Sequence, residues 1–96
     1  MKSKATARFW SAYRALPDDV KKQARQAYRQ FEANPAHPGL QFKKVHSTEP
    51  VYSARVTRDC RAVGLLQGGT VTWFWIGDHA DYDRLLAHRH RARPGP

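Results

Sequence analysis

An arginine pair in a predicted hairpin is the first group of residues in this sequence that could do chemistry. Arg55 and Arg61 flank residues 57–59, whose Thr-Arg-Asp sequence suits a three-residue loop. Such a loop would place Val56 opposite Cys60 and Arg55 opposite Arg61, and directly opposed side chains share one face of a sheet. Two adjacent guanidiniums repel, so the pair would favour an anion between them or a carboxylate beside them. The alternatives are a two-residue loop, which would separate the arginines, or two ordinary solvated side chains.

A histidine follows the most apolar segment of the chain, TVTWFWIG at residues 70–77. If this segment is a strand, His79 lies at the sheet edge near the arginine pair. Cleavage of RNA through its own 2′-hydroxyl needs a proton acceptor, cations for the charge on phosphorus and an acid for the leaving oxygen. An unperturbed pKa of about 6.5 suits histidine to either proton transfer. Alternatively, His79 only begins a helix and bonds to Asp78 or Asp81.

Metal and cofactor motifs are not apparent in the sequence. Asp78, His79, Asp81 and Asp83 are close together, but no cysteine pair or HExxH spacing supports a zinc site. Glycine-rich phosphate loops are missing as well. The single cysteine, Cys60, precludes an intrachain disulfide, and its context indicates a structural role. We therefore expect a protein that needs neither metal nor cofactor.

The charge balance indicates an acidic partner. Lys and Arg total 17 against 8 Asp and Glu, a formal net charge of +9 over 96 residues. Nucleic acid, anionic lipid and acidic protein all remain open on charge alone. A signal peptide and a bilayer-spanning run are not evident, so a cytoplasmic location is predicted. Hydrophobic residues at 41% and charged residues at 26% indicate one globular domain.

The elements that would position these residues form an α+β fold. TARFWSAYRALP and the segment from Pro17 to Asn34 predict two N-terminal helices. Four segments then predict the strands of a small antiparallel sheet: LQFKKVH, VYSARVT, CRAVGLLQ and VTWFWIG. HADYDRLL predicts a short C-terminal helix. The single domain is expected to span residues 1–88, and residues 89–96 to form a basic, disordered tail.

The aromatic strand needs cover on both of its faces. Trp73, Phe74 and Trp75 are consecutive, and two helices can cover only one face of a four-stranded sheet. The C-terminal helix, a second copy or a partner protein could cover the other face. An aromatic platform for RNA bases is the alternative. A buried core is the favoured interpretation.

The order and spacing of three segments resemble the RelE/ParE superfamily of toxins from bacterial type II toxin–antitoxin systems. The segments are NPAHPGLQFKKV, VYSARVTRDCRAV and WFWIGDHADYDRLL, and the resemblance covers residues 5–88. It implies two helices on one face of a twisted antiparallel sheet. It also implies a cognate antitoxin that wraps and neutralises the toxin. Because this chain is strongly basic, a small acidic antitoxin is expected. RelE-like members cleave mRNA, commonly on the ribosome, without a metal. ParE-like members share the fold but inhibit DNA gyrase.

The resemblance also implies site residues. Arg55 matches a basic position of the second main strand, and Arg61 matches an arginine that opens the next strand. His79 matches a basic or histidine position after the last strand, which favours a RelE-like ribonuclease. The alternatives are a ParE-like gyrase inhibitor and a basic module that binds RNA or a partner. Convergence of Arg55, Arg61 and His79 on one face would distinguish the ribonuclease from these alternatives.

Other positions depart from the RelE pattern. Ser53 stands where some relatives carry a lysine, and it is expected to contact RNA. Leu85 stands where RelE proper has a tyrosine, so Tyr82 is the nearest substitute. It is predicted to be a catalytic residue together with the arginine pair and His79, and to stack on a base or bond to a phosphate. Lys43 and Lys44 are expected to lie near the RNA, one contacting the backbone and the other solvated.

Overall fold

The order of helices and strands follows the predicted α+β arrangement. The structure is a computed structural model that describes the backbone of residues 1–91 and the side chains of residues 1–85. Its elements, in chain order, are β1 (Lys2–Ala5), α1 (Ala7–Arg14), α2 (Asp18–Ala33), a 3-10 turn (Pro38–Leu40), β2 (Lys43–Lys44), β3 (Val51–Arg55), β4 (Cys60–Gln67), β5 (Thr70–Asp78) and α3 (His79–Arg91). Within the described residues, no helix combines the length and apolar character that crossing a bilayer requires.

The sheet has five strands in the order β1-β5-β4-β3-β2, which corrects the expected four. The added strand β1 runs parallel to β5, from Lys2 opposite Thr70 to Ala5 opposite Trp73, so the sheet is mixed rather than purely antiparallel. The segment KSKA lacks the alternation of a half-buried strand, and for that reason its sequence does not predict one. It forms a strand because the outer edge of β5 would otherwise leave backbone groups unpaired.

The two helices lie within the predicted segments, but α1 ends at Arg14, before the predicted break at Pro17. Thr6 Oγ1 accepts a hydrogen bond from the Phe9 N–H at 3.1 Å and so caps α1. Pro17 precedes α2, and two aspartates in the first turn favour the positive end of the helix dipole. The helix ends before Asn34, which adopts extended angles ahead of Pro35. Both helices therefore present a defined apolar side to the sheet.

The main core lies between the two N-terminal helices and the sheet. Phe31 of α2 meets Trp73 of β5 edge to face, with ring centroids 5.4 Å apart. Partly buried residues of α1 and α2 pack around this contact, as predicted from their helical spacing. The buried members of this core are Phe31, Leu40, Ala54, Cys60, Ala62, Val71, Trp73 and Ile76. One face of the sheet is thereby covered.

A β-bulge explains how the consecutive aromatic residues of β5 pack on both faces of the sheet. Val63 pairs with Trp75 and Gly64 pairs with Trp73, so Phe74 is an extra residue on β5. Trp73 belongs to the helix-side core, whereas Phe74 and Trp75 pack in a second cluster on the other face. A Cβ on Gly64 would lie 2.8 Å from Val71 Cγ1, so the strands approach this closely only at a glycine.

Helix α3 covers part of the second face, as one of the predicted alternatives proposed. Tyr82 is buried there with Val51 and Val63, and Leu85 packs against the same cluster. The helix runs to Arg91, three residues past the predicted domain boundary. Residues 92–96 of the predicted tail lie outside the described part of the chain, and their disorder stays a prediction.

Candidate nucleic-acid interface

The face of the sheet opposite α1 and α2 carries the predicted arginine pair. Arg55 of β3 is directly opposite Arg61 of β4, and the Val56 N–H donates to the Cys60 carbonyl at 2.9 Å. This register is the one that a three-residue loop predicts, and it places both side chains on one face. We call the surface formed by Lys43, Arg55 and Arg61 the basic face. Lys43 joins it because it pairs with Ser53, two residues before Arg55.

Arg61 is held on two sides by other side chains. Its guanidinium carbon lies 5.7 Å from the ring centroid of Tyr82, a cation–π distance. Its Nη2 donates to Gln41 Oε1 at 3.4 Å. Its Nη1 is buried and has no hydrogen-bond partner within the protein. An anion that reached this nitrogen would supply the acceptor that the fold does not.

Tyr82 is packed among other side chains of the sheet and of α3. Only 8% of the residue is exposed, and its ring lies 6.4 Å from that of Trp75 and 6.3 Å from that of His79. With Arg61 over its ring, Tyr82 cannot stack on a base unless the guanidinium moves. The expected stacking role is therefore not supported. Its position instead links α3 to β4 and β5 beneath the basic face.

Gly77 leaves space for the ring of Trp75. It stands opposite Arg61 in the β4–β5 register. A Cβ at this position would lie 2.5 Å from Cζ2 of Trp75, so the indole occupies the space that a side chain would need. The Trp75 ring consequently packs over Gly77, with its centroid 6.4 Å from that of Tyr82. The glycine before Asp78 and His79 thus serves close packing, and β5 passes directly into α3.

His79 is the first residue of α3 and is exposed to solvent. Its Nε2 lies 3.3 Å from Oδ2 of Asp83, one helical turn further on. Sequence reasoning named Asp78 or Asp81 as partners, but Asp78 Oδ1 accepts from the Asp81 N–H at 2.8 Å and Asp81 pairs with Arg84. Because residues four apart share a helix face, the i,i+4 spacing is the signal that could have identified Asp83. Among the described residues, no three side chains of ligand type cluster as a metal site would require.

The remaining predicted contacts divide between the two faces. Ser53 is completely buried, and its Oγ has no hydrogen-bond partner in the protein, so direct contact with RNA is not supported. Lys44 pairs with Tyr52, whose ring stacks on that of Phe42 at 5.0 Å on the helix side. Lys44 therefore points away from the basic face. Of the two lysines, only Lys43 is placed to meet a backbone bound there.

Gln41 is a site residue that sequence reasoning missed. It is the single non-glycine position with positive φ in the described chain, at φ 45° and ψ 43°. The left-handed conformation costs a residue with a side chain about 1–2 kcal/mol. Gln41 caps the 3-10 turn and directs its amide to Arg61 from 20 positions earlier. Because that contact is long-range, no spacing rule would have found it.

Cys60 is structural, as predicted. The thiol is 4% exposed in the helix-side core. Burial, together with the nearby carboxylate of Asp78, raises the pKa of Cys60 to about 11. The thiol therefore stays protonated at neutral pH and is a poor nucleophile.

A groove lies on the opposite side of the molecule, between the helix pair and the sheet. It encloses about 500 Å³ over a mainly apolar floor that includes Phe31, Trp73 and Ile76. Trp10 and Tyr28 also line it, with 47% and 42% of their surface exposed. Its charged lining is mostly basic and consists of Lys4, Arg25, Arg29 and Glu32.

Solved toxin structures have the same fold. The structure is similar to YafQ from E. coli, at 13% identity over 84% of this chain and 96% of YafQ, with a TM-score of 0.68. It is equally similar to a chain of the RelB–RelE antitoxin–toxin complex of Methanococcus jannaschii, at 16% identity, 83% and 95% coverage and a TM-score of 0.68. The YoeB/ParE toxin of Agrobacterium tumefaciens matches at 16% identity, 82% and 99% coverage and a TM-score of 0.64. No curated protein matches the chain in sequence.

A family model assigns the chain more directly. The model described as the ParE-like toxin domain matches residues 18–84, well over half of the sequence. The match includes α2, the basic face and the start of α3. The resemblance to the RelE/ParE superfamily is thereby confirmed, and the chain belongs to the family of ParE-like toxin domains.

Proposed function

We propose that this chain is the toxin of a type II toxin–antitoxin pair and that it is an endonuclease that cleaves mRNA in the bacterial cytoplasm. The observation that carries the proposal is the β3–β4 register, which sets Arg55 opposite Arg61 on the face that α3 adjoins. Two guanidiniums held side by side form a site for a phosphate. A protein that acts by occupancy alone has no need of this pair, nor of a histidine whose ring lies 6.3 Å from the Tyr82 ring that Arg61 contacts.

The arginines would act on the charge of the reacting phosphate. Arg61 grips the scissile phosphate, because its Nη1 has no protein acceptor and its guanidinium is held from two sides. Arg55 adds a second cation as negative charge grows on the phosphorus oxygens. Electrostatic stabilisation of this kind commonly contributes about a hundred- to a thousandfold in rate. Lys43 would hold a neighbouring phosphate as a point charge.

His79 would perform a proton transfer. In the proposed reaction the 2′-hydroxyl gives its proton to water as its oxygen bonds to phosphorus, the bond from phosphorus to the 5′-oxygen breaks, and the 5′-oxygen takes a proton from the imidazole, which leaves a 2′,3′-cyclic phosphate. Asp83 lies 3.3 Å from Nε2, so Nδ1 is the nitrogen left for the substrate. The contact with Asp83 would hold the imidazole in one orientation for this transfer. Neither a metal nor a cofactor is needed for these steps.

The helix-side groove suits the antitoxin. Its apolar floor and mostly basic lining would fit an amphipathic segment with acidic residues along its polar edge. The +9 charge of the chain favours such a partner. Two solved relatives, from Methanococcus jannaschii and Pyrococcus horikoshii, are RelE chains in complex with RelB. A small acidic antitoxin is accordingly the proposed partner.

The family match to ParE-like toxin domains favours a second candidate, inhibition of DNA gyrase without catalysis. One experiment distinguishes the two. The chain is expressed in bacteria from an inducible promoter, and RNA 5′ ends and plasmid supercoiling are measured in the same cultures. New mRNA ends with unchanged supercoiling support the nuclease. Altered supercoiling with intact mRNA supports the gyrase inhibitor. Purified protein with and without ribosomes then shows whether cleavage depends on the ribosome.

A further inference from the structure

We infer that Gln41 is a positioning residue that orients the Arg61 guanidinium for the phosphate. The inference rests on the proposed function in one respect, the assignment of Arg61 to the scissile phosphate. The proposed site then includes a residue that belongs neither to the arginine pair nor to α3. Gln41 lies at the end of the 3-10 turn that precedes β2.

The backbone around Gln41 is held in place from both sides. Leu40 is 1% exposed in the core, and the Gln41 N–H donates to the Pro38 carbonyl at 3.3 Å. On the other side, the ring of Phe42 meets that of Phe31 with a centroid distance of 5.1 Å. Gln41 is thus an exposed residue between two anchored neighbours, in a left-handed conformation that glycine would adopt more readily. A side chain at this strained position indicates a role for its amide.

The side-chain amide of Gln41 contacts the guanidinium of Arg61 and so bears on its orientation. Gln41 Oε1 accepts from Nη2, and Tyr82 lies against the guanidinium, so the plane of the group is restrained by two contacts. Nη1 is left buried and without a protein acceptor. A free arginine side chain samples many rotamers and would lose that freedom on binding a phosphate. Preorganisation by Gln41 removes part of that loss before the RNA arrives.

An amide is chemically suited to this role because it is neutral. It accepts a hydrogen bond from the guanidinium without cancelling the positive charge that the phosphate requires. A glutamate would also orient Arg61, but its carboxylate would compete with the phosphate for the same cation. The two functions of the contact, orientation and preservation of charge, can therefore be separated by substitution.

The test compares the variants Gln41→Gly and Gln41→Glu in the full chain. Gln67→Ala is the control, because it also removes a side-chain amide but does so at the exposed end of β4, away from Arg61. Gln41→Gly removes the amide and suits the left-handed backbone, so its melting temperature should equal or exceed that of the wild type. Its single-turnover cleavage of RNA should fall about ten- to a hundredfold. Gln41→Glu should mainly weaken RNA binding, seen as a raised KM. Gln67→Ala should cleave at the wild-type rate.

A second measurement follows the arginine itself and does not depend on activity. Arg61→Lys identifies the Arg61 guanidinium resonances by NMR, because they disappear in that variant. In the wild type these resonances should show slow rotation of the guanidinium, and in Gln41→Gly fast rotation. If the wild type does not cleave RNA, the proposed function fails, and the NMR comparison still decides whether Gln41 orients Arg61.

Each remaining outcome overturns the inference. Unchanged rotation in Gln41→Gly would show that the contact does not restrain Arg61. Faster rotation with unimpaired cleavage would show that the restraint does not serve the reaction. Loss of cleavage together with loss of melting temperature in Gln41→Gly would assign Gln41 to the stability of the turn.

Discussion

Arg61 lies between Gln41 and Tyr82, and its contact with the Tyr82 ring, at 5.7 Å, joins the middle of the sheet to the last helix. Through that contact Arg61 of the basic face is linked to the helix that carries His79. His79 and Tyr82 are three residues apart on α3, with ring centroids 6.3 Å apart. The guanidinium and the imidazole are therefore both neighbours of the same tyrosine ring.

The first prediction concerns the two main site residues. Arg61→Ala and His79→Ala should each lower single-turnover cleavage of mRNA about a hundred- to a thousandfold. Arg61 loses the phosphate grip, whereas His79 loses the proton donor. Circular dichroism should show folded variants, because neither side chain is fully buried. Arg58→Ala, in the exposed hairpin loop, is the matched control and should retain activity. Folded variants that cleave at the wild-type rate would refute the assignment.

The second prediction concerns Asp83. Asp83→Asn should reduce cleavage less than His79→Ala does, because it keeps the imidazole and changes only the side chain that orients it. A loss of about tenfold is expected from weaker general acid catalysis. Asp81→Asn is the control, since Asp81 pairs with Arg84 and not with His79. Equal effects of the two substitutions would indicate that the helix start, rather than the Asp83–His79 pair, is what matters.

The third prediction concerns the aromatic strand. Phe74→Ala and Trp75→Ala should destabilise the protein rather than abolish RNA binding selectively. Complete truncation of a buried aromatic costs about 3–5 kcal/mol, and these partly buried residues should fall at or below the low end of that range. Thermal melts measure the change. An unaltered melting temperature together with lost RNA binding would make the rings a stacking platform.

The fourth prediction concerns the antitoxin. Its association rate should fall as salt is raised, because attraction between an acidic antitoxin and a basic toxin is screened. Trp10→Ala should weaken the complex and leave cleavage by the free toxin intact, since Trp10 lines the helix-side groove and not the basic face. Stopped-flow association at two salt concentrations and calorimetry of the variant measure both effects. A rate independent of salt, or an affinity unaffected by Trp10→Ala, would contradict the corresponding part.

The fifth prediction concerns pH. The pKa of Cys60 is raised to about 11 in the folded chain, against about 8.5 for an exposed thiol. The folded state thus binds the thiol proton more tightly than the unfolded state does. Stability from this source is present below pH 8.5 and is lost as pH rises towards 11. Denaturant melts of wild type and Cys60→Ala across this window should show a steeper decline for the wild type. Parallel declines would show that Cys60 does not contribute.

Local rules were sufficient for the parts of the fold that lie close together in sequence. The β3–β4 hairpin is the clearest example, because a loop of fixed length sets its register and puts Arg55 opposite Arg61. The two helices were predicted for the same reason, since their caps, proline and apolar spacing all lie within the segments themselves. The position of His79 after the last strand also followed directly from the order of residues.

Contacts between distant segments were decided only by the tertiary structure. β1 exists because the edge of β5 offers it backbone partners, a cause that the KSKA sequence does not contain. The bulge at Val63 and Gly64 turned Phe74 and Trp75 to the second face, and α3 then buried Tyr82 there. Packing between distant elements also buried the hydroxyl of Ser53. It likewise brought Gln41 into contact with Arg61. Residue type and spacing predict which groups a chain can present, but burial and long-range hydrogen bonds depend on packing among elements far apart in sequence.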